Sequence, residues 1–157
     1  MGAASDSQPA EGISIRQARL ADAPALASLA TQLGYPSSTL QVEKRMSVAL
    51  PDPKHRILVA CSGSGVVGWA HAYLCCLLES DLYVELGGMV VDASHQGCGV
   101  GTRLLGQVEE WAVQMGASAV SVRSNIIRRE AHKFYCTRGY GLIKTQHAFR
   151  KPLRVQR

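Results

Sequence analysis

The segment from Val90 to Trp111 constrains this chain more than any other. An apolar run ends at Val91, a short turn follows, and Gly97, Gly99 and Gly101 lead into a long amphipathic stretch. Glycine lacks a Cβ, so the backbone can turn sharply there and a ligand can come close. Leu104, Leu105, Val108, Trp111, Ala112 and Met115 recur at three- and four-residue steps, which predicts one apolar helix face, and Gly116 supplies a stop. A helix start carries N–H groups without intrahelical partners and the positive end of the helix dipole. A strand, a glycine turn and a helix in that order therefore suit a phosphate. Arg103 adds a nearby positive charge.

Known phosphate cradles can be compared by spacing. A P-loop needs Lys-Ser/Thr after its last glycine, and here Thr102-Arg103 follows Gly101. A dinucleotide fingerprint needs Gly-x-Gly-x-x-Gly, and Gly97-x-Gly99-x-Gly101 is one residue short. At this point a glycine-rich turn with no ligand stays open as well.

The chain has 157 residues, enough for one domain with a core. With 46% apolar and 18% charged residues it has an ordinary globular balance. No apolar run reaches membrane-spanning length, and the first dozen residues show no secretory pattern, so no membrane partner is expected. The net charge of +5 favours anionic ligands, but the basic residues form no aromatic-interleaved stripe, so no nucleic acid is expected. Cys61, Cys75, Cys76, Cys98 and Cys136 form no Cys-x-x-Cys pair and no zinc spacing with histidine. No metal is expected, and reduced thiols in a cytoplasmic protein are the simplest reading.

Taken in order, Ile13–Leu20 alternates as a first strand. Asp22 can cap a helix that carries Leu26, Leu29, Ala30 and Leu33 and closes at Gly34. Ser37 or Ser38 can cap a second helix to about Leu50, broken by Pro51-Asp52-Pro53. Residues 57–61 and 66–74 form a hairpin across Ser62–Gly65, and 82–91 a third strand interrupted by Gly87-Gly88, the mark of a bulge. After the central helix come a short strand at 119–123, a helix over 126–138 and a last strand over 140–149. The order β-α-α-β-β-β-α-β-α-β gives a mixed, mostly antiparallel α/β sheet of about six strands flanked by four helices. Residues 1–12 read as a disordered tail, 13–153 as one domain and 154–157 as a basic C-terminal tail.

Two motifs carry a family resemblance. Gln96-Gly97-Cys98-Gly99-Val100-Gly101 resembles the coenzyme A loop Gln/Arg-x-x-Gly-x-Gly/Ala of the GNAT N-acetyltransferases. Downstream by one helix and one strand, Asn125-x5-Ala131-x-x-Phe134-Tyr135-x-x-x-Gly139-Tyr140 resembles that superfamily's second block. The likeness covers nearly the whole chain, and the last third looks like aminoalkylphosphonate acetyltransferases. The resemblance implies the GNAT fold and acetyl transfer from acetyl-CoA to the primary amine of a small molecule, by direct attack in a ternary complex. It also implies that the strand before the cradle splays from its neighbour. Backbone of Met89, Val90 and Val91 would then meet the pantetheine arm. Amides from Gln96 through Gly97, Cys98, Gly99, Val100, Gly101 and Thr102 would hold the diphosphate. Asn125 would bond the pantetheine amide and Phe134 would pack against it. Family members are often dimers, so the resemblance leaves a homodimer possible.

An alkylammonium must lose a proton before it attacks a thioester. Glu85, on the strand beside the splay, is the base suggested by position. The family's acid, which protonates the leaving thiolate, corresponds to Tyr135. Many relatives carry an acidic residue where Gly87-Gly88 stands, so ordered water is an alternative to Glu85, as are His55, His71, His95, His132 and His147. Other readings of the same motifs are a protein N-terminal or lysine acetyltransferase, and a CoA-binding regulatory module without catalysis.

Overall fold

The computed structural model describes residues 12–63 and 65–155. The expected N-terminal tail lies outside them apart from Gly12, as do the last two residues of the C-terminal tail. Five strands form one sheet in the order β1-β2-β3-β4-β5. They are β1 (Ile13–Gln17), β2 (His55–Ser62), β3 (Gly65–Cys75), β4 (Tyr83–Val91) and β5 (Val120–Val122). The first four run antiparallel in turn, and β5 pairs parallel to β4. A parallel neighbour needs a crossover, which helix α3 (Val100–Gln114) supplies.

Helices α1 (Ala23–Leu33) and α2 (Thr39–Ala49) precede the hairpin, and α3 lies against the first four strands. The period of two along each strand decides which helix meets which residues. Ile57 and Val59 point one way and pack with Leu26, Ala27, Val42 and Met46 of α1 and α2. Ala60 and Gly68, paired across β2 and β3, belong to the other face. There a Cβ on Gly68 would touch Leu104 of α3 at 3.4 Å. Leu104, Leu105 and Val108 are buried on α3, as the helical spacing predicts. Each such side chain contributes about 1.5–3 kcal/mol by leaving water.

Ser38 caps α2 in a reciprocal box with Gln41: the Gln41 N–H donates to Ser38 Oγ (3.2 Å) and the Ser38 N–H to Gln41 Oε1 (2.9 Å). Asp22 takes a different part from the expected one. It occupies the residue before α1, but its side chain makes no cap bond there. Its carboxylate instead accepts both guanidinium nitrogens of Arg16 at 2.8 Å and the Arg19 N–H at 2.8 Å. The Asp22 carboxylate is thus taken by the bidentate Arg16 pair and by the start of the preceding 3-10 turn.

The chain divides into two compact units at Arg123/Ser124, and the sheet with its three helices is the first. The second unit holds helix α4 (Arg129–Cys136), shorter at both ends than the 126–138 expected. Asn125 Oδ1 accepts the Ile127 N–H (3.1 Å), and this side-chain turn displaces the first helical residues. The expected last strand over 140–149 is absent: residues 140–155 take no regular secondary structure, and Leu142, Ile143 and Phe149 are exposed. Alternation in sequence selects a face, but a strand exists only where a neighbour takes its backbone bonds.

Candidate active site

The site begins with a change of parity in β4. The N–H of Val84 donates to Ala119 on the β5 side (2.9 Å), and alternation sends Leu86 the same way. His71 pairs with Gly88 and Ala72 with Leu86, so Gly87 is an extra residue without a partner. Beyond this bulge the parity reverses. The Asp92 N–H donates back to Val67 of β3 (2.7 Å), which turns Met89 and Val91 toward the opposite edge. There β5 has ended: it pairs with Val84, Glu85 and Leu86 only. Among the described residues no strand covers β4 beyond Leu86, so the N–H and C=O of Met89 and the N–H of Val91 face an open edge while Val90 is buried. An open edge is a template for an added strand.

The glycine turn follows directly. Asp92 Oδ1 accepts from Gln32 Nε2 of α1 (2.8 Å), Asp92 Oδ2 accepts the Ser94 N–H (3.3 Å) and hydroxyl, and the Ala93 N–H donates to Gln32 Oε1 (3.2 Å). The Ser94 and Gln32 bonds drive the Asp92 carboxyl far below its ordinary range. Gln96 Nε2 donates to the Val91 carbonyl (3.3 Å). Gly97 and Gly99 have φ of +78° and +82°, the left-handed region that a side chain resists, and a Cβ on either would meet nothing within 4 Å. Helix α3 starts on Gly99 with no side chain capping it. Main chain is thus laid bare from Gln96 to Gly101, with Cys98 exposed and Val100 buried as the anchor beneath. This fits a diphosphate, which takes N–H donors and needs room. Arg103 departs from expectation, since its guanidinium turns to the Ile13 carbonyl of β1.

On the other side of the bulge a cavity of about 260 Å³ opens between α1, α2 and the sheet. Leu26, Met46 and Ile57 give it apolar walls, Tyr35, Ser37 and Arg45 a polar rim, and Trp69, His71, Gly87 and Gly88 its end at the bulge. Arg45 Nη1 donates to Ser37 Oγ (2.9 Å). Among the described residues no carboxylate lines it. Trp69, His71 and Tyr73 alternate onto this face of β3, and Tyr73 pairs with His55 of β2 and with Glu85 of β4. His55 Nδ1 and His71 Nε2 lie 2.9 Å apart, so one ring donates to the other. Burial, with a smaller push from His55, pulls His71 down to about 4.

Glu85 is 4% exposed, with its carboxylate 3.2 Å from Arg123 Nε. Burial raises its pKa and Arg123 opposes the rise. It sits two positions before Gly87 and is not part of the cavity wall. In the second unit, burial likewise raises the Tyr135 phenol, against a smaller effect of Arg128. Its ring meets Phe134 edge-on at 5.3 Å and Tyr140 at 5.7 Å. The guanidinium of Arg138 lies 3.6 Å over Phe134. Asn125 accepts the Ile127 N–H through Oδ1 and a bond from His132 Nε2 through its carbonyl (2.9 Å). All five cysteines are free. No helix among the described residues is long and apolar enough to cross a membrane.

Sequence reading named His55 and His71 only as separate alternative bases and did not foresee their contact, nor Arg45 at the cavity. The alternation Trp69-x-His71-x-Tyr73 signals a shared face, whereas the pairing of His55 with that face depends on the β2–β3 register.

Comparison with known proteins gives the same direction from sequence and from fold. Residues 23–141 match the model of a family described as "Acetyltransferase (GNAT) family". The chain is 32% identical over 145 residues to an aminoglycoside N(6')-acetyltransferase type 1 of Stenotrophomonas maltophilia, covering 88% of this chain and 93% of that one. It is 34% identical over 92 residues to an aminoalkylphosphonate N-acetyltransferase of Salmonella typhimurium, covering 58% of this chain and only 60% of that enzyme. Its fold is similar to the crystal structure of aminoglycoside antibiotic 6'-N-acetyltransferase AAC(6')-IG from Acinetobacter haemolyticus. The TM-score is 0.78 at 21% identity, over 90% of this chain and 99% of that one.

Proposed function

The chain belongs to the acetyltransferase (GNAT) family, and on that premise we propose that it transfers the acetyl group of acetyl-CoA to the primary amine of a small molecule, by direct attack in a ternary complex. The observation that carries the reading is the open edge at the Met89 backbone and the Val91 N–H, running straight into the bare glycine turn. The pantetheine arm would lie along that edge as an added strand, and the diphosphate against N–H groups between Gln96 and Thr102. The family pattern gives Asn125 and Phe134 the task of holding the arm and Tyr135 that of the acid. A phenol whose pKa is raised by burial stays protonated at neutral pH and can donate to the departing thiolate.

The acceptor is a small amine that also carries an acidic group. The cavity beside the bulge is small, below the ~300–1,000 Å³ of most ligand sites. Its rim offers Arg45, a cation suited to a carboxylate or phosphonate, and no described carboxylate for a polycation. That pattern favours an aminoalkylphosphonate-like acceptor over an aminoglycoside.

Release of free CoA from acetyl-CoA tests both levels. The panel is 2-aminoethylphosphonate, β-alanine, an uncharged alkylamine of equal length, an aminoglycoside and a peptide. The acid-bearing amines are expected to give the highest kcat/KM. Binding of acetyl-CoA with no turnover on any amine would reject catalysis, and preference for the aminoglycoside or the peptide would reject the acceptor class.

A further inference from the structure

We propose that the acceptor's proton leaves through two histidines, from His71 at the cavity wall to His55 and out past Asp52, in place of the direct route through Glu85. This rests on the acetyl-transfer reading above.

The geometry makes a line. His71 borders the cavity at the bulge. Its Nε2 is 2.9 Å from His55 Nδ1. His55 Nε2 is in turn 3.9 Å from Asp52 Oδ2, whose side chain is 44% exposed and reaches solvent. Gly87 and Gly88 occupy the bulge and bring no side chain, so the titratable group at the cavity's end is His71 of β3. Glu85 pairs with Tyr73 across β3 and β4 and is engaged by Arg123, outside the cavity wall.

One arrangement of ring protons leaves a base facing the cavity and a proton on the Asp52 side. His55 holds its proton on Nε2, facing Asp52. His71 holds its proton on Nε2 and donates to His55 Nδ1. His71 Nδ1 then keeps a lone pair, and among the described residues nothing bonds it. Tyr73 stacks on His55 with ring centres 5.7 Å apart and planes at 26°, which fixes that ring. In the reaction an ammonium N–H gives its proton to His71 Nδ1. The Nε2 proton of His55 passes to solvent water beside Asp52, after the Nε2 proton of His71 has passed to His55 Nδ1. The freed amine lone pair attacks the thioester carbonyl. Both rings end neutral with their protons exchanged between nitrogens, and solvent exchange restores them. The low basicity of His71 is then no obstacle, because no charge rests on it. The ionisable groups around it are His55, Tyr73, Arg45 of α2, Tyr35 of the α1–α2 turn and, beyond Tyr73, Glu85.

Two measurements test the path. With 2-aminoethylphosphonate as acceptor, His71→Gln is expected to lower kcat about 100-fold, the size of a lost general base, with KM for acetyl-CoA within about threefold. Activity should recover as pH rises toward the amine's own pKa. His55→Gln, which leaves the cavity wall intact, should lower kcat about tenfold and flatten the same pH profile. Added imidazole should restore part of the activity of His71→Ala. A loss in Glu85→Gln as large as in His71→Gln, or full activity in His71→Gln, overturns the path while acetyl transfer stands. No turnover of any amine by the unmodified protein overturns both. Independently of turnover, ring ¹⁵N spectra of the free protein should show His71 with a bare Nδ1 and uncharged down to pH 5. A proton on Nδ1, or titration near 6.5, overturns it.

Discussion

The indole of Trp69 closes over Gly88, so that a Cβ built on Gly88 would lie 3.0 Å from both Cη2 and Cζ3 of the ring. Position 88 therefore takes glycine for a packing reason, and an acid there would have to move a residue that itself borders the cavity. Gly88→Glu is expected to destabilise the fold by about 1–3 kcal/mol, the usual range for overpacking, without raising acetyl transfer. Urea midpoints and CoA release check it. A variant as stable as the parent and more active would show that the bulge has room for a base.

Tyr135→Phe keeps the ring that packs on Phe134 and Tyr140 and removes the hydroxyl alone. If the phenol protonates the leaving thiolate, kcat falls about 100-fold while the dissociation constant for acetyl-CoA stays within twofold. Steady-state kinetics with calorimetric titration of acetyl-CoA separate the two. A fall in affinity with kcat unchanged would make Tyr135 a packing residue.

Arg45 lines the cavity and is the cation proposed to meet the acceptor's acidic group. Arg45→Gln retains a donor for Ser37 and loses the charge. KM for 2-aminoethylphosphonate should rise about tenfold, with little change for an uncharged alkylamine. Equal effects on both acceptors would place the acidic group elsewhere.

Stability should depend on pH through His71. Folding pulls it down from 6.5 to about 4, so between those values the unfolded chain binds a proton that the folded chain refuses. Stability then falls as pH drops from about 6.5 toward 4, and His71→Gln should remove part of that slope. The depressed Asp22 acts in the same sense at lower pH, where the ion pair to Arg16 is lost. Chemical denaturation at pH 7, 6 and 5 reads the effect, and an identical slope in parent and variant would contradict it.

Much of this was legible in the sequence, for identifiable reasons. The strand, glycine turn and helix from Val90 to Gln114 follow from periodicity and from the need for positive φ at Gly97 and Gly99. The bulge at Gly87 follows from glycine inside a strand. Local chemistry misled at Asp22, where Arg16, six residues away, took the carboxylate from the helix start. It misled again over 140–149, where alternating residues have no described strand beside them. His55 with His71 was out of reach because sixteen residues separate them and only the β2–β3 register brings them together.

Amide hydrogen exchange with and without coenzyme A tests the cradle most directly. Saturating CoA should slow exchange at Met89, Val91, Gly97, Gly99 and Gly101, with Gly99→Glu abolishing the effect. Unchanged exchange at those five amides, with protection appearing elsewhere, would contradict the site.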